Sequence, residues 1–207
     1  MISMPSSPTH QPATRLKATY ARAYESTFVP HATDALRLLA LLAVPAAWIG
    51  FGPLPALTML LVSGGTWIMR VYSVTRLQDV AGQITLLLAG TFSTLSTYKQ
   101  VQWLDNVVHF AVLMVLTMIL HDLLVQHRML PVPGSPRMAF GSLLSVTGLG
   151  ALMAVLWEIG EWIGHEFINE EVGVGYFDTI IDLLCGVAGA VAGALWLGRS
   201  SRRRAVA

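Results

Sequence analysis

Six apolar segments follow one another along the chain, separated by short polar stretches. A membrane-spanning helix needs about 20 mostly apolar residues, and segments of roughly this length indicate one crossing each. The pattern therefore predicts an all-α fold, a polytopic transmembrane helical bundle with six spans. The predicted spans lie at about 35–51, 54–69, 80–96, 104–126, 138–164 and 177–198.

The first two segments are short and nearly joined. Pro45 lies inside the first of them, and "GFGPLP" separates the two. They fit either two thin crossings or a hairpin that enters the membrane and returns. The third segment carries Gln83 and several hydroxyl residues, which favours a helix that faces the interior of the bundle.

The composition agrees with a membrane protein. Hydrophobic residues make up 54% of the chain and charged residues 12%, with a mean hydropathy of +0.60, whereas soluble domains carry about 25% charged residues. We expect the lipid bilayer to be the main partner, and the net charge of +1 suggests no nucleic-acid partner. Cys185 is the single cysteine, so the chain has neither an internal disulfide framework nor a zinc site built from cysteines.

The ends of the chain are polar and set its expected orientation. Residues 1–34 are expected to form a loose tail, in which "ATRLKATYARAYE" fits an amphipathic helix on the membrane surface, and residues 199–207 a basic tail. Lysine and arginine favour the cytoplasmic side. With both termini in the cytoplasm, twelve of the thirteen Lys and Arg residues fall on that side and only Lys99 lies outside. We therefore predict a multi-pass plasma-membrane protein with both termini cytoplasmic.

Acidic residues and histidines gather at the predicted outer ends of the last three spans. Residues three or four apart share one face of a helix, so each span presents them as a stripe. They are Asp105 and His109 on the fourth span, Glu158, Glu161 and His165 on the fifth, and Asp178 and Asp182 on the sixth. The stripe of the sixth span continues into Gly189 and Gly193. Because such small residues allow close helix packing, we expect this face to point into the bundle.

Five carboxyl groups at one depth require a positive counterpart, and Lys99 is the one lysine or arginine predicted on that side. Burying an unpaired charge in a membrane costs at least a few kcal/mol. Protonation of some acids, a metal ion, a cationic ligand or an open, water-filled vestibule would each remove this cost. Carboxylates with an imidazole are ligands of zinc, manganese and iron, and with fewer nitrogens of magnesium.

The favoured hypothesis is a site for a divalent metal ion that assists chemistry on a lipid or cell-envelope substrate. The predicted metal ligands are His109, Glu158, Glu161 and Asp182. Asp105 or Asp178 is expected to orient a ligand or to carry a proton. The sequence offers no identifiable nucleophile, so the reaction itself is left open.

Other interpretations fit the same residues. The acids could bind and release protons or cations in a transporter, or form a structural polar cluster. Asp105 and Asp178 lie so near predicted helix starts that capping and the helix dipole would account for them. At the opposite membrane face, His121, Asp122 and His127 are expected to reach into the headgroups. The small-residue faces suit either internal packing or a homo-oligomer.

Three motifs give the chain a resemblance to a known family. They are "LDNVVHFAVLMVLTMIL", "LWEIGEW" and "GYFDTIIDLLCGVAGAVAG". They are similar to segments of the YjdF-like family of uncharacterised bacterial inner-membrane proteins and, less closely, to VanZ-like proteins. The resemblance covers about the last half of the chain and implies no particular reaction. The site positions that it implies are Asp105, His109, Glu158, Glu161, Asp178, Thr179 and Asp182.

The chain also departs from both patterns. YjdF-like proteins often have an Arg-Glu pair after the histidine helix, where this chain has "HDLL". VanZ-like proteins tend to carry Gln at the position of Glu161 and Asn at that of Asp182. These differences argue against a VanZ-type role in glycopeptide resistance.

Overall fold

The structure is a computed structural model that describes residues 30–73, 75–130, 136–170 and 174–206. This part of the chain consists of helices joined by short connections, which confirms the all-α prediction. The amphipathic helix predicted at 13–25 lies outside the described residues. The helices are α1 (Asp34–Phe51), α2 (Pro53–Tyr72), α3 (Arg76–Thr94), α4 (Thr97–Gln100), α5 (Gln102–Gln126), α6 (Pro136–Phe167) and α7 (Tyr176–Val206).

Five of the described helices, α1, α2, α5, α6 and α7, are long and apolar enough to cross a membrane. They occupy the first, second, fourth, fifth and sixth predicted spans. α1 has 18 residues and α2 has 20, so each is long enough for a crossing of its own. Pro45 lies within α1, which continues through it to Phe51. Gly52 then adopts a φ of 97°, a left-handed conformation that glycine tolerates well, and joins α1 to α2.

α3 takes the place of the third predicted span and is the most polar of the long helices before α7. Gln78, Asp79 and Gln83 are buried on its inner side. Near its start, Gln78 donates a hydrogen bond to Asp122 of α5. Beyond its end, Tyr98 lies near Asp105, and burial and the charge of this carboxylate raise the pKa of the tyrosine. α3 therefore runs the length of the bundle, although its composition does not identify it as a span. A crossing by α3, which would bring the number of spans to six, stays a prediction that this placement supports.

α5 lies at the centre of the bundle. It packs closely against α7 and α6 on one side and against α3 and α2 on the other. Its buried side chains Val112, Leu113 and Ile119 form a hydrophobic core with Met69 of α2 and Leu86 of α3. Many large apolar side chains of the outer helices are exposed, as expected where lipid surrounds a bundle.

Two glycines bring α7 into close contact with α5. A Cβ atom added at Gly189 would meet the backbone of Phe110 and Met114, and one added at Gly193 would meet the backbone of Met114. The prediction that the small-residue face of this helix points into the bundle is therefore confirmed. Gly160 of α6 lies on an open face instead, with nothing of the described chain within 4 Å of such an added atom.

One end of the bundle, which we call the arginine end, contains a buried ion-pair network. The Arg37 side chain of α1 is completely buried. It donates hydrogen bonds to Asp34 at 2.8 Å, to the Thr66 carbonyl at 3.0 Å, and to Asp79 of α3. Arg70 of α2 pairs with Asp34 at 2.9 Å. Two arginines and two aspartates thus balance one another where α1, α2 and α3 meet.

A second polar group lies beside this network on α5. Asp122 is 1% exposed, accepts a hydrogen bond from Gln78 at 2.8 Å, and lies 3.1 Å from the His121 ring. The prediction that His121 and Asp122 reach into the headgroups is therefore wrong, because both side chains are buried. His127, at the end of α5, does lie at the surface and shares a hydrogen bond of 3.1 Å with Tyr72.

Two helix ends lie near the predicted limits of the bundle. α1 begins at Asp34, close to the predicted start at 35. α7 continues past the predicted end at 198 to Val206, so the basic segment extends the last helix. The division into tail, bundle and tail stays a prediction.

Candidate functional site

The ends of three helices meet at the other end of the bundle, which we call the carboxylate end. α5 contributes Asp105 and His109 from its first two turns, and α7 contributes Asp182 from its second turn. α6 contributes Glu158 and Glu161 from its last turns. Because α6 runs antiparallel to both neighbours, its last turns lie beside their first ones. The spacings of three and four residues then direct each stripe toward the same point.

His109 is the centre of this cluster. Its Nε2 atom lies 3.5 Å from Asp105, and its Nδ1 atom lies 3.5 Å from Glu158 and 3.7 Å from Asp182. Hydrogen bonds between such atoms are normally 2.7–3.2 Å long. Two ligands bonded at about 2.1 Å to one tetrahedral ion lie about 3.4 Å apart. The separations of Glu158 and Asp182 from Nδ1 therefore fit shared coordination of one ion better than direct hydrogen bonding, whereas Asp105 faces the other ring nitrogen.

Two overlapping sets of ligand atoms share His109. One set is Asp105, His109 and Asp182, and the other is His109, Glu158 and Glu161. Within each set, the ligand atoms all lie within 4.8 Å of one another. The four predicted metal ligands are thus divided between two sets that meet at His109, and Asp105 belongs to the first set.

The cluster contains a buried acceptor that has no hydrogen bond. The Asp182 side chain is 2% exposed, and its Oδ1 atom has no hydrogen-bond partner among the described residues. An unpaired buried carboxylate oxygen is costly, and ligation of a cation is one way to remove that cost. The residues present therefore fit a metal ion by the chemistry of the donors and by this oxygen.

Neighbouring side chains hold the cluster in place. Trp157 donates a hydrogen bond from Nε1 to Glu161 at 2.9 Å, and its ring packs edge-on against His109. Thr179 hydrogen-bonds Glu158. The spacing of four between Trp157 and Glu161 could have indicated the first contact from the sequence.

The remaining predicted residues lie at the margin. Asp178 is exposed, belongs to neither set of ligand atoms, and lies one helical turn outside Asp182 on α7. Asp105 has 27% of its side chain exposed, against 9% or less for His109, Glu158 and Asp182. His165, on the last turn of α6, also lies outside both sets. The two residues predicted to orient ligands or carry protons thus lie nearer to solvent than Glu158 and Asp182.

Tyr98, which follows α3, is a further residue at this end and was not predicted as part of the site. Its hydroxyl donates to the Ala89 carbonyl at 3.0 Å. Burial raises the pKa of Tyr98, and the charges of Asp105 and Glu161 raise it further. No sequence pattern indicates that Tyr98 lies near Asp105 and Glu161, because this depends on how α3 and α4 pack against the rest of the bundle.

The two ends of the molecule differ in the balance of acidic and basic side chains. At the arginine end, Arg37 and Arg70 face two aspartates. At the carboxylate end, five carboxyl groups lie near one another, while the basic groups among the described residues there are His109, His165 and Lys99. Even if all three carry a full positive charge, the acids outnumber them. The carboxylate end therefore has an excess of acidic groups that the arginine end does not.

Comparison with known protein families gives a match over most of the chain. A family model described as "Predicted membrane protein (DUF2238)" matches residues 35–203, which is most of the chain. This match is consistent with the YjdF-like resemblance, whereas the likeness to VanZ-like proteins stays a prediction. Neither the curated proteins nor the solved structures gave a significant match.

Proposed function

The chain belongs to the DUF2238 family of predicted membrane proteins, and we propose that it binds a divalent metal ion at the carboxylate end. The metal would assist hydrolysis or group transfer on a lipid or cell-envelope substrate at the outer face of the membrane. The observation that carries this proposal is the convergence of five potential ligands from three helices, with His109 common to both sets. The unpaired Oδ1 atom of Asp182 supports it.

The donor set suggests which metals fit. One imidazole with several carboxylates suits manganese, iron or zinc, and magnesium would use the carboxylates alone. A bound divalent ion supplies Lewis acidity and a more acidic bound water. The chain's own contribution is to orient the ligands through Trp157 and Thr179 and to move a proton at Asp105, which is 27% exposed.

Metal analysis of the purified protein tests this proposal. We expect wild type to retain about one divalent ion per chain, and Asp182→Asn and His109→Gln to lose it, with affinity at least tenfold lower. Glu166→Gln is the matched control, because Glu166 is an exposed acid on the same helix as Glu158. Circular dichroism checks that every variant is folded.

The same experiment has outcomes that contradict the proposal. Wild type that binds none of the four metals, even when they are added, would remove it. Loss of metal in Glu166→Gln as much as in Asp182→Asn would show that binding is not at this site. If every substitution changes thermal stability alone, the cluster is a structural element of the bundle.

A second candidate function, passage of protons or cations, is favoured by one specific observation. α5 carries a buried titratable pair, His121 and Asp122, at the end opposite to His109. Thr117 lies between His109 and this pair on the same helix. It is completely buried, and its hydroxyl has no hydrogen-bond partner in the described part of the chain. These groups mark a line of polar side chains along one helix, although Leu113 interrupts it.

Flux measurements in proteoliposomes separate the two functions. Transport predicts proton or metal flux that Asp122→Asn and Asp182→Asn both abolish. Metal-assisted chemistry at one face predicts that Asp122→Asn leaves metal binding unchanged. It also predicts no proton or metal flux in wild type or in either variant.

A further inference from the structure

A long groove opens beside the carboxylate end. It lies between the α2 and α3 pair on one side and α5 on the other, with the ends of α6 and α7 at its mouth, and encloses about 1650 Å³. This exceeds the roughly 300–1,000 Å³ typical of small-molecule sites. The groove is therefore large enough for an extended ligand.

The lining of the groove changes character along its length. Its mouth holds Asp105, His109, Glu161 and Asp178, and its deeper walls are formed by apolar side chains. Those deeper walls include Val62, Leu86 and Leu116. Polar and apolar surfaces thus follow one another along the axis of the bundle, as the headgroup and chain of a lipid do.

The depth of the groove matches one leaflet of a bilayer. Asp105 and Leu116 both line it and are eleven residues apart on α5. At 1.5 Å per residue, this corresponds to about 16 Å along the helix. The hydrocarbon core of a bilayer is about 30 Å thick, so one leaflet contributes about 15 Å. A lipid chain with its headgroup beside Asp105 would therefore end near Leu116.

We propose that the groove holds one acyl chain of an outer-leaflet phospholipid, whose phosphate group reaches the cluster around His109. This inference rests on the proposed function, because the carboxylates alone would repel a phosphate, whereas a divalent ion among them attracts it. A helix of a second protein chain would fill the apolar part but would bring no phosphate group to an ion held at the mouth. The polar mouth therefore favours a lipid as the occupant.

Small residues on the groove wall offer a way to block it. Ala89 of α3 lines the groove, so Ala89→Phe would place a ring in the path of the chain. Ala81→Phe is the matched control, because Ala81 lies on the same helix, is exposed, and does not line the groove.

Photo-crosslinking of reconstituted protein tests the proposal. The probe is phosphatidylglycerol with a diazirine near the end of one acyl chain, and labelled residues are identified by mass spectrometry. We expect labelling to concentrate on Leu86 and Leu116, and to fall at least tenfold in Ala89→Phe but not in Ala81→Phe. Diacylglycerol with the same diazirine chain, which lacks the phosphate, should label these residues at least tenfold less.

Three results distinguish this inference from the proposed function. Labelling spread evenly over exposed residues such as Ile84 and Leu184 overturns the groove site, and leaves the metal site standing if metal analysis is positive. Equal labelling by the diacylglycerol probe overturns phosphate recognition. Concentrated labelling in a protein that binds no metal overturns the proposed function, and with it the role assigned to the cation.

Discussion

Arg37 and His109 illustrate, at the scale of single residues, two ways of placing charge inside a helical bundle. Arg37 is completely buried and makes hydrogen bonds to Asp34, Asp79 and a backbone carbonyl, so its charge is matched within the chain. His109 lies among carboxylates at 3.5–3.7 Å, too far for good hydrogen bonds. The first arrangement pairs each charge within the chain, whereas the second places one imidazole among several carboxyl groups.

Arg37→Met should destabilise the protein strongly. The substitution leaves Asp79 buried without its cation, which typically costs about 3–5 kcal/mol. Replacing both partners, as in Arg37→Met with Asp79→Leu, should recover much of that loss. Arg76→Met is the control, because Arg76 is exposed at the start of the same α3 helix. Thermal unfolding in detergent measures the effect, and equal stability of the Arg37 and Arg76 variants would contradict it.

Tyr98 should make stability depend on alkaline pH. An unperturbed tyrosine has a pKa near 10, and burial raises the pKa of Tyr98 in the folded protein. Above about pH 10, the unfolded chain loses this proton while the folded protein keeps it, so the free energy of unfolding falls as pH rises. In Tyr98→Phe, the unfolding temperature should fall less steeply between about pH 9 and 12. An unchanged slope would contradict this account.

At the scale of helices, the glycines of α7 determine how closely the ligands of α5 and α7 can approach. Gly189 lies against the backbone of α5, which cannot move aside as a side chain can. The position of Asp182 relative to His109 therefore depends on a contact two turns further along the same helix.

Gly189→Ala should separate α7 from α5. The added methyl group meets the Phe110 carbonyl, and such overpacking costs about 1–3 kcal/mol. The shift should also lower metal affinity by about tenfold, as loss of outer supports typically does. Gly198→Ala on the same helix meets nothing within 4 Å and should be neutral. Unchanged stability and metal content in Gly189→Ala would refute this dependence.

Helical periodicity explains how much of the site could be predicted. Spacings of three and four residues determine which acids share a face, and this identified His109, Glu158, Glu161 and Asp182 from the sequence. Periodicity does not determine how far a residue lies from the surface. Asp178 shares the face of Asp182 but lies one turn nearer the helix start, and it is exposed there.

At the scale of the whole molecule, the order of the spans could be predicted from apolar length, because each segment must bury its backbone polar groups within one helix. The ion-pair network of the arginine end could not be predicted from the sequence. Arg37 looks like any basic residue at a membrane face, and its partner Asp79 is 42 residues away in the sequence. Gln78 and Asp79 also lie outside the third predicted span at 80–96, so the apolar pattern left out the part of α3 that makes these contacts.

Cysteine labelling should reveal the orientation of the bundle. In a Cys185→Ser background, we expect Gln100→Cys to react with a membrane-impermeant maleimide in intact cells, and Met129→Cys to react only after the membrane is permeabilised. Both positions are exposed and lie at opposite ends of α5. The expectation follows from the distribution of lysine and arginine. The reverse labelling pattern would place the carboxylate end in the cytoplasm.

The most direct test of the central claim is anomalous X-ray diffraction from crystals of the protein grown with Mn²⁺. We predict one strong anomalous peak within about 2.0–2.3 Å of His109 and of carboxylate oxygens from Asp182 and Glu158. In Asp182→Asn crystals, the peak should be absent or much weaker. Wild-type crystals without a peak at this position, with His109 hydrogen-bonded directly to Glu158 or Asp182, would contradict the claim.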